Sequence, residues 1–457
     1  MQKYMNKPKP SSPTPPGPKG SFLLGSLKEV SKNPLEFTTN LALKHPGIAH
    51  FKFIRKNIYV ISSPEYVRQI FQVNNANFRK SRHYRFLKLM LGEGLLSSEG
   101  DFWKRQRKLA NPAFHKTSLE GFINTFKQYS EELANEWERK YANSDKPVDV
   151  LTEMSALALR IVGKTLLNVD LSEQAKEFKD AVKYGLGFVN KKQNSFNLLP
   201  LWFPKSSNKL FLYYRNYMND IIYKVIDERL QQRTKHNDLL DMYLNSVDEE
   251  TGERMSREQL RDEVMTIFVA GFETNAIALT WSWYLLHQHP DKSAKLQDFL
   301  DTDNASSKTM EDWFRQDYVS MVIKESMRLY PPIYNIGRTN IEDEQIDKYT
   351  IKRGSVFLIN TVALHRNREV WKDPDDFIPE RFLTDEVKAI EKSAYIPFGA
   401  GQRMCIGHQF AMLEMKVILH TLASRFKLTL KEGHPVERVP AVTLNPKYGM
   451  LMHIRKR

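Results

Sequence analysis

The chain has 457 residues, of which 41% are hydrophobic and 27% charged, with a net charge of +14 and a single cysteine. That length can bury a large core, and the composition suits a globular protein rather than a disordered one. One cysteine excludes an internal disulfide and any multi-cysteine zinc or iron–sulfur centre. No nucleic-acid recognition motif accompanies the positive charge, so no nucleic-acid partner is expected. The charge reads either as a solvated basic surface or as a face that attracts an acidic partner.

Residues 1–20 are rich in lysine and proline, including Pro13-Thr14-Pro15-Pro16-Gly17-Pro18. They lack an apolar run, so a flexible N-terminus is expected rather than a signal peptide or an integral membrane anchor. Residues 21–457 are expected to form one domain. Gly47–Ile54 and Asn57–Ile61 alternate around a short basic turn and read as a β-hairpin. Ser63-Pro64-Glu65 starts a helix. From there to about residue 335 the pattern is mainly helical.

The apolar stretch Val264–Leu286 is long enough to cross a bilayer, but Glu273, Thr274 and Asn275 at its middle make that costly. It is expected to be a buried helix, opened by the capping box Ser256-Arg257-Glu258-Gln259 and closed by Pro290. Later strands are expected at Ser355–Asn360, Lys427–Leu430 and Met450–Ile454. The fold class expected is mainly α with small β-sheets.

Cys405 sits in Phe398-Gly399-Ala400-Gly401-Gln402-Arg403-Met404-Cys405-Ile406-Gly407. Glycines let the backbone turn tightly and approach a flat ligand. Arg403 offers a cation. The helix expected from Gln409 places Cys405 before a helix N-terminus, which favours a thiolate. A buried hydrophobic cysteine would explain none of these glycines. A Cys–His nucleophile with His408 lacks a recognisable surrounding signature.

In the central helix, Gly271 costs about 1 kcal/mol relative to alanine. It also removes bulk beside Glu273 and Thr274, and Thr274 can bond back to the Ala270 carbonyl. Glu325 and Arg328 lie three residues apart on one helix face, a spacing shared by many surface ion pairs.

The run from Phe398 through Gly401, Arg403 and Cys405 to Gly407, with Ala411 beyond, resembles the haem-binding signature of the cytochrome P-450 superfamily. The similarity covers nearly everything after residue 15, in a soluble, bacterial-like form without a membrane anchor. It implies the cytochrome P-450 fold, with haem b (iron protoporphyrin IX) between the long central helix and the cysteine-loop helix. Cys405 would be the iron ligand. Ala270, Gly271, Glu273 and Thr274 would form the oxygen groove, with Glu273 and Thr274 as the acid–alcohol pair. Trp103, Arg107, Arg338, Phe398, Arg403 and Gly407 would contact the haem, and His365 is a further donor. Glu325, Arg328 and Arg381 would form a structural network.

Asn275, Tyr334 and Asn335 would border the substrate pocket, with the basic segment Arg79, Lys80, Arg82, His83 and Arg85 nearby. Left unpartnered there, the polar groups would favour a partly polar small-molecule substrate. The implied activity is monooxygenation with O2, as hydroxylation or oxidative O-demethylation. Electrons would come from NAD(P)H through a separate redox partner, a ferredoxin with its reductase being expected. That partner would dock beside Lys104, Arg105 and Lys108. A fatty-acid hydroxylase, a peroxygenase and a non-enzymatic haem-binding sensor are the alternatives. A cytoplasmic monomer is expected.

Overall fold

A computed structural model describes residues 13–142, 144–194, 200–231, 238–247, 252–303, 308–383, 390 and 392–457. The chain divides into two compact units. The first comprises the residues up to Arg82, with Asn335–Pro374 and Ile390–Arg403; the second comprises His83–Tyr334, Asp375–Ala389 and Met404–Arg457. Strands are numbered here along the whole chain.

The first unit is built on a five-stranded sheet. Its members are β1 (Ile48–Phe53), β2 (Lys56–Ile61), β3 (Phe78–Lys80), β5 (Asn335–Asn340) and β8 (Val356–Asn360). They run in the order β1-β2-β8-β5-β3, with β2 and β8 parallel and the other neighbours antiparallel. The β1–β2 hairpin pairs Ile48 with Ile61 and Phe53 with Lys56. Alternation along these strands puts Ala49, Phe51, Ile58 and Val60 into a core with Leu41, Ala42, Val356 and Ala363. β6 (Glu344–Ile346) and β7 (Tyr349–Ile351) form a separate hairpin.

Residues 1–12, most of the segment expected to be flexible, lie outside the described residues. Of the remainder, Pro15 is buried and the Pro16 carbonyl accepts a hydrogen bond from His50 N at 2.8 Å. Ser63 precedes the helix Pro64–Arg68 as expected, but its hydroxyl makes no capping bond.

The second unit is helical around one long element, Arg257–Gln288, called the central helix here. Its 32 residues give a length of about 48 Å. Ser256 Oγ accepts from Gln259 N at 3.1 Å, which is the N-cap half of the expected capping box. The helix is long and apolar enough to cross a membrane, yet 78% of its apolar window is buried within the fold. Apolar residues all round its axis mark a core helix, and it packs most closely on the helix Val150–Leu167.

The cysteine helix, His408–Arg425, packs on the helices Ile123–Lys140 and Tyr318–Leu329. β4 (Val148–Asp149), β12 (Leu451–Lys456) and β9 (Phe426–Leu430) form a small sheet in that order. β10 (Arg438–Pro440) and β11 (Leu444–Pro446) form an antiparallel hairpin.

Candidate functional site

The cysteine loop is anchored from both sides of its sulfur. Before it, Arg107 Nη1 donates to the Met404 carbonyl at 2.7 Å. After it, His408 Nδ1 lies 3.1 Å from the Cys405 carbonyl. Arg107 comes from the helix Gly100–Ala110, one turn beyond the buried Trp103. A side chain expected to contact the cofactor thus holds the loop backbone. Cys405 itself is exposed. The protein packed around its loop raises the thiol pKa, while the Gly407 amide and the Arg107 guanidinium act in the opposite direction.

Within the first unit, the loop's leading turn is shaped by glycine. Gly401 has φ +68°, and a Cβ there would fall 2.0 Å from the Phe71 carbonyl oxygen. No other residue fits that approach. Gly399, at φ +72°, faces only Ile336. Arg338 is buried on β5, donates to the Gly337 carbonyl at 3.0 Å and lies over the Phe71 ring. Arg403 ends the short turn Gly401–Arg403, and Phe398 is half-buried before it. His365 is buried, and its Nε2 accepts from Ile396 N at 2.9 Å, so this nitrogen is occupied by the backbone leading into the loop.

The donor set fits a metal-bound thiolate. Among the described residues no group of three or more His, Cys, Asp or Glu side chains stands together as a metal site. A metal at Cys405 therefore needs its remaining ligands from a cofactor. The exposed thiol, the Gly407 amide and the adjoining arginine suit a flat cofactor whose iron takes one protein ligand.

On the central helix, Thr274 Oγ1 donates to the Ala270 carbonyl at 2.8 Å. Gly271 points its missing side chain at Val162, whose methyl would lie 3.1 Å from a Cβ. Its lack of bulk lets the central helix approach the Val150–Leu167 helix closely at this point. Glu273 is half-buried and accepts from Thr443 Oγ1 at 3.2 Å. Burial pushes its carboxyl up to about 7, against hydrogen bonding from Thr443 and Asn445.

Two of the three polar pocket candidates have partners within the second unit. Asn275, 2% exposed, donates through Nδ2 to Glu414 Oε2 at 2.7 Å. Tyr334 donates to the Ala441 carbonyl at 3.1 Å, and burial pushes its phenol up to about 12. Asn335, in the first unit, keeps a buried Oδ1 without a protein partner. Of the basic segment, Arg79, Arg82 and Arg85 are exposed.

Glu325, Arg328 and Arg381 come together. Arg328 donates to Glu325 through Nε at 2.7 Å and Nη2 at 2.8 Å, and Arg381 Nε donates to the same carboxylate at 2.9 Å. The Ile378 amide adds a donor at 2.9 Å, and Arg328 also reaches the Asp376 carbonyl at 3.0 Å. Neither Glu325 nor Arg328 has any exposed surface.

Sequence reasoning missed Glu414, Thr443 and Asn445. Glu414 is a lone acid in the apolar run from Phe410 to Leu419, apart from Lys416, and that isolation was a usable sign of a buried partner. Its carboxyl is pushed well above the usual range by burial. Thr443 and Asn445 carry no local signal, because their partner lies about 170 residues earlier.

The family model for Cytochrome P450 matches residues 15–453. Cyclooctat-9-en-7-ol 5-monooxygenase of Streptomyces melanosporofaciens is 30% identical, covering 89% of this chain and 87% of its own. The chloroplastic Cytochrome P450 97B2 of Glycine max is 30% identical over 95% and 85%. Leukotriene-B4 omega-hydroxylase 3 of Mus musculus is 29% identical over 96% and 89%.

Proposed function

The chain belongs to the cytochrome P450 family and is a haem-thiolate monooxygenase, and from that premise we propose that it hydroxylates a small organic molecule with Cys405 as the haem ligand and Glu273 and Thr274 as the proton-handling pair. Haem b, O2 and electrons derived from NAD(P)H through a separate partner belong to the family's reaction. Bound haem supplies the activation of O2 and the transfer of one oxygen atom to carbon.

The observation that carries the proposal is the mid-helix arrangement. The Thr274 hydroxyl donates to the Ala270 carbonyl at 2.8 Å, one residue from an acid held by Thr443. With its affinity raised to about 7, Glu273 can both hold and release a proton near neutral pH. Thr274 can pass a proton through its hydroxyl once that bond turns away from the carbonyl. The Asn275–Glu414 bond joins this stretch of the central helix to the cysteine helix, tying the proton-handling residues to the element that follows the ligand. Trp103, Arg107, Arg338, Phe398, Arg403 and Gly407 hold the cofactor in this reading.

Thr274→Ala is expected to retain haem and substrate binding while raising the hydrogen peroxide formed per NADH severalfold, about tenfold at most. Unaltered coupling of NADH oxidation to product would reject the assignment.

The substrate reading changes in one respect. A polar substrate was expected because Asn275, Tyr334 and Asn335 would otherwise be buried without partners. Asn275 and Tyr334 have protein partners, so only Asn335 still supports that demand. We therefore favour hydroxylation of a largely hydrocarbon skeleton with few polar groups over O-demethylation. The relatives named above as a monooxygenase and an omega-hydroxylase agree with oxygen insertion at carbon.

The remaining elements of the proposal are a ferredoxin-type donor, a monomeric state and a cytoplasmic location. Lys104 pairs with Asp101 at 2.8 Å on the surface, which reduces its contribution to a docking face. The overall charge of +14 still favours an acidic donor. Reduction by a ferredoxin is expected to slow at least about tenfold between low and physiological salt. Stopped-flow rates indifferent to salt would reject electrostatic docking.

A further inference from the structure

The β10–β11 hairpin makes contact with the central helix at its only mid-helix acid. The Thr443 hydroxyl donates to Glu273 Oε1 at 3.2 Å, and Thr443 Oγ1 in turn accepts from Asn445 Nδ2 at 2.8 Å. A hydroxyl has one proton to give. Asn445 donates to the hydroxyl oxygen and the proton goes to the carboxyl. Thr443 is 3% exposed, so the contact is shielded from competing water.

The hairpin is in turn pinned by contacts independent of Glu273. Leu444 N donates to the Pro332 carbonyl at 2.9 Å, and Trp281 Nε1 donates to the Leu444 carbonyl at 3.0 Å. The Trp281 ring stacks on Tyr330 with centroids 4.2 Å apart. On the far side of the tip, the Tyr334 hydroxyl holds the Ala441 carbonyl. The tip therefore cannot drift relative to the central helix without breaking several buried hydrogen bonds.

We infer that the hairpin tip is a positioning element for the acid of the central helix, with Thr443 holding Glu273 in one orientation and Asn445 orienting Thr443. This rests on the reading of Glu273 as a proton donor. A glutamate on a helix otherwise samples several rotamers, and fixing one in advance leaves less to organise when the proton moves.

No charged neighbour perturbs Glu273; burial and the two hairpin side chains account for its affinity. Two titratable groups bond to the adjoining parts of the hairpin and the central helix, Tyr334 at Ala441 and Glu414 at Asn275. The first is pushed up to about 12 and stays neutral, and the second is raised well above the usual carboxylate range.

The test uses the haem-loaded protein. Infrared difference spectra across pH report the Glu273 carboxyl, whose band is assigned by its loss in Glu273→Gln. Thr443→Val removes the donor at nearly constant volume. It should move the midpoint upward by about one pH unit, because a bond favouring the carboxylate is gone. It should also raise hydrogen peroxide per NADH by about three- to tenfold. Thr443→Ser should restore both values. A Thr443→Val midpoint that matches the native protein, alongside strong uncoupling by Glu273→Gln, overturns this inference and leaves the role of Glu273 standing. Unchanged coupling in Glu273→Gln overturns that role and the positioning function with it.

Discussion

Cys405→Ser is expected to remove the strongly red-shifted absorption band of the reduced, CO-bound protein and to lower monooxygenation by at least about a thousandfold. The reason lies in one atom. Serine keeps the size and the hydrogen-bonding environment of the loop, including the Arg107 contact to Met404 and the Gly401 turn. It does not supply a soft, electron-rich sulfur. Some haem should still bind through contacts that do not involve residue 405. Cys405→His, which offers a nitrogen ligand, should bind haem with the spectrum of a histidine-ligated protein. A serine variant that kept the red-shifted band would show that another residue ligates the iron.

Glu325→Gln is expected to be the most damaging change away from the cofactor. It neutralises a carboxylate that accepts from Arg328, Arg381 and the Ile378 amide, and it leaves a fully buried Arg328 without its counter-charge. Breaking a buried ion pair from one side costs about 3–5 kcal/mol. Urea denaturation should show that loss, together with poor haem retention, because the network braces the segment Asp376–Arg381 against the Tyr318–Leu329 helix. Lys104→Gln offers the contrast. Its pair with Asp101 is solvent-exposed on both sides and should contribute little to stability. Equal losses for the two variants would refute the structural role given to the network.

Most of what positions the site was legible from local patterns. The apolar run around Glu273 implied a buried helix, and Arg257–Gln288 is one. The alternation after Gly47 implied a hairpin, and β1 and β2 form it. Thr274 was expected to bond to the carbonyl four residues back and does so. These inferences hold because period and capping are properties of neighbouring residues.

What escaped the sequence depends on contacts across long separations. The close approach of Val162 to Gly271 is one such contact, with no mark in the local sequence. Asn275 and Tyr334 looked like unpartnered pocket groups, because Glu414 and the Ala441 carbonyl lie more than a hundred residues away in sequence. Ser63 fits a capping pattern whose side-chain bond does not form, whereas Ser256 caps the central helix as expected. Residue type alone does not fix a rotamer.

The central claim is that this chain inserts one atom of O2 into carbon. It is tested most directly by turnover under 18O2 with a substrate that shifts the haem spin state, in the presence of NADPH and a surrogate redox partner. The account predicts one 18O atom in the hydroxylated product and none when the label is supplied as water. Product that forms without O2, or that carries oxygen from water alone, would contradict it.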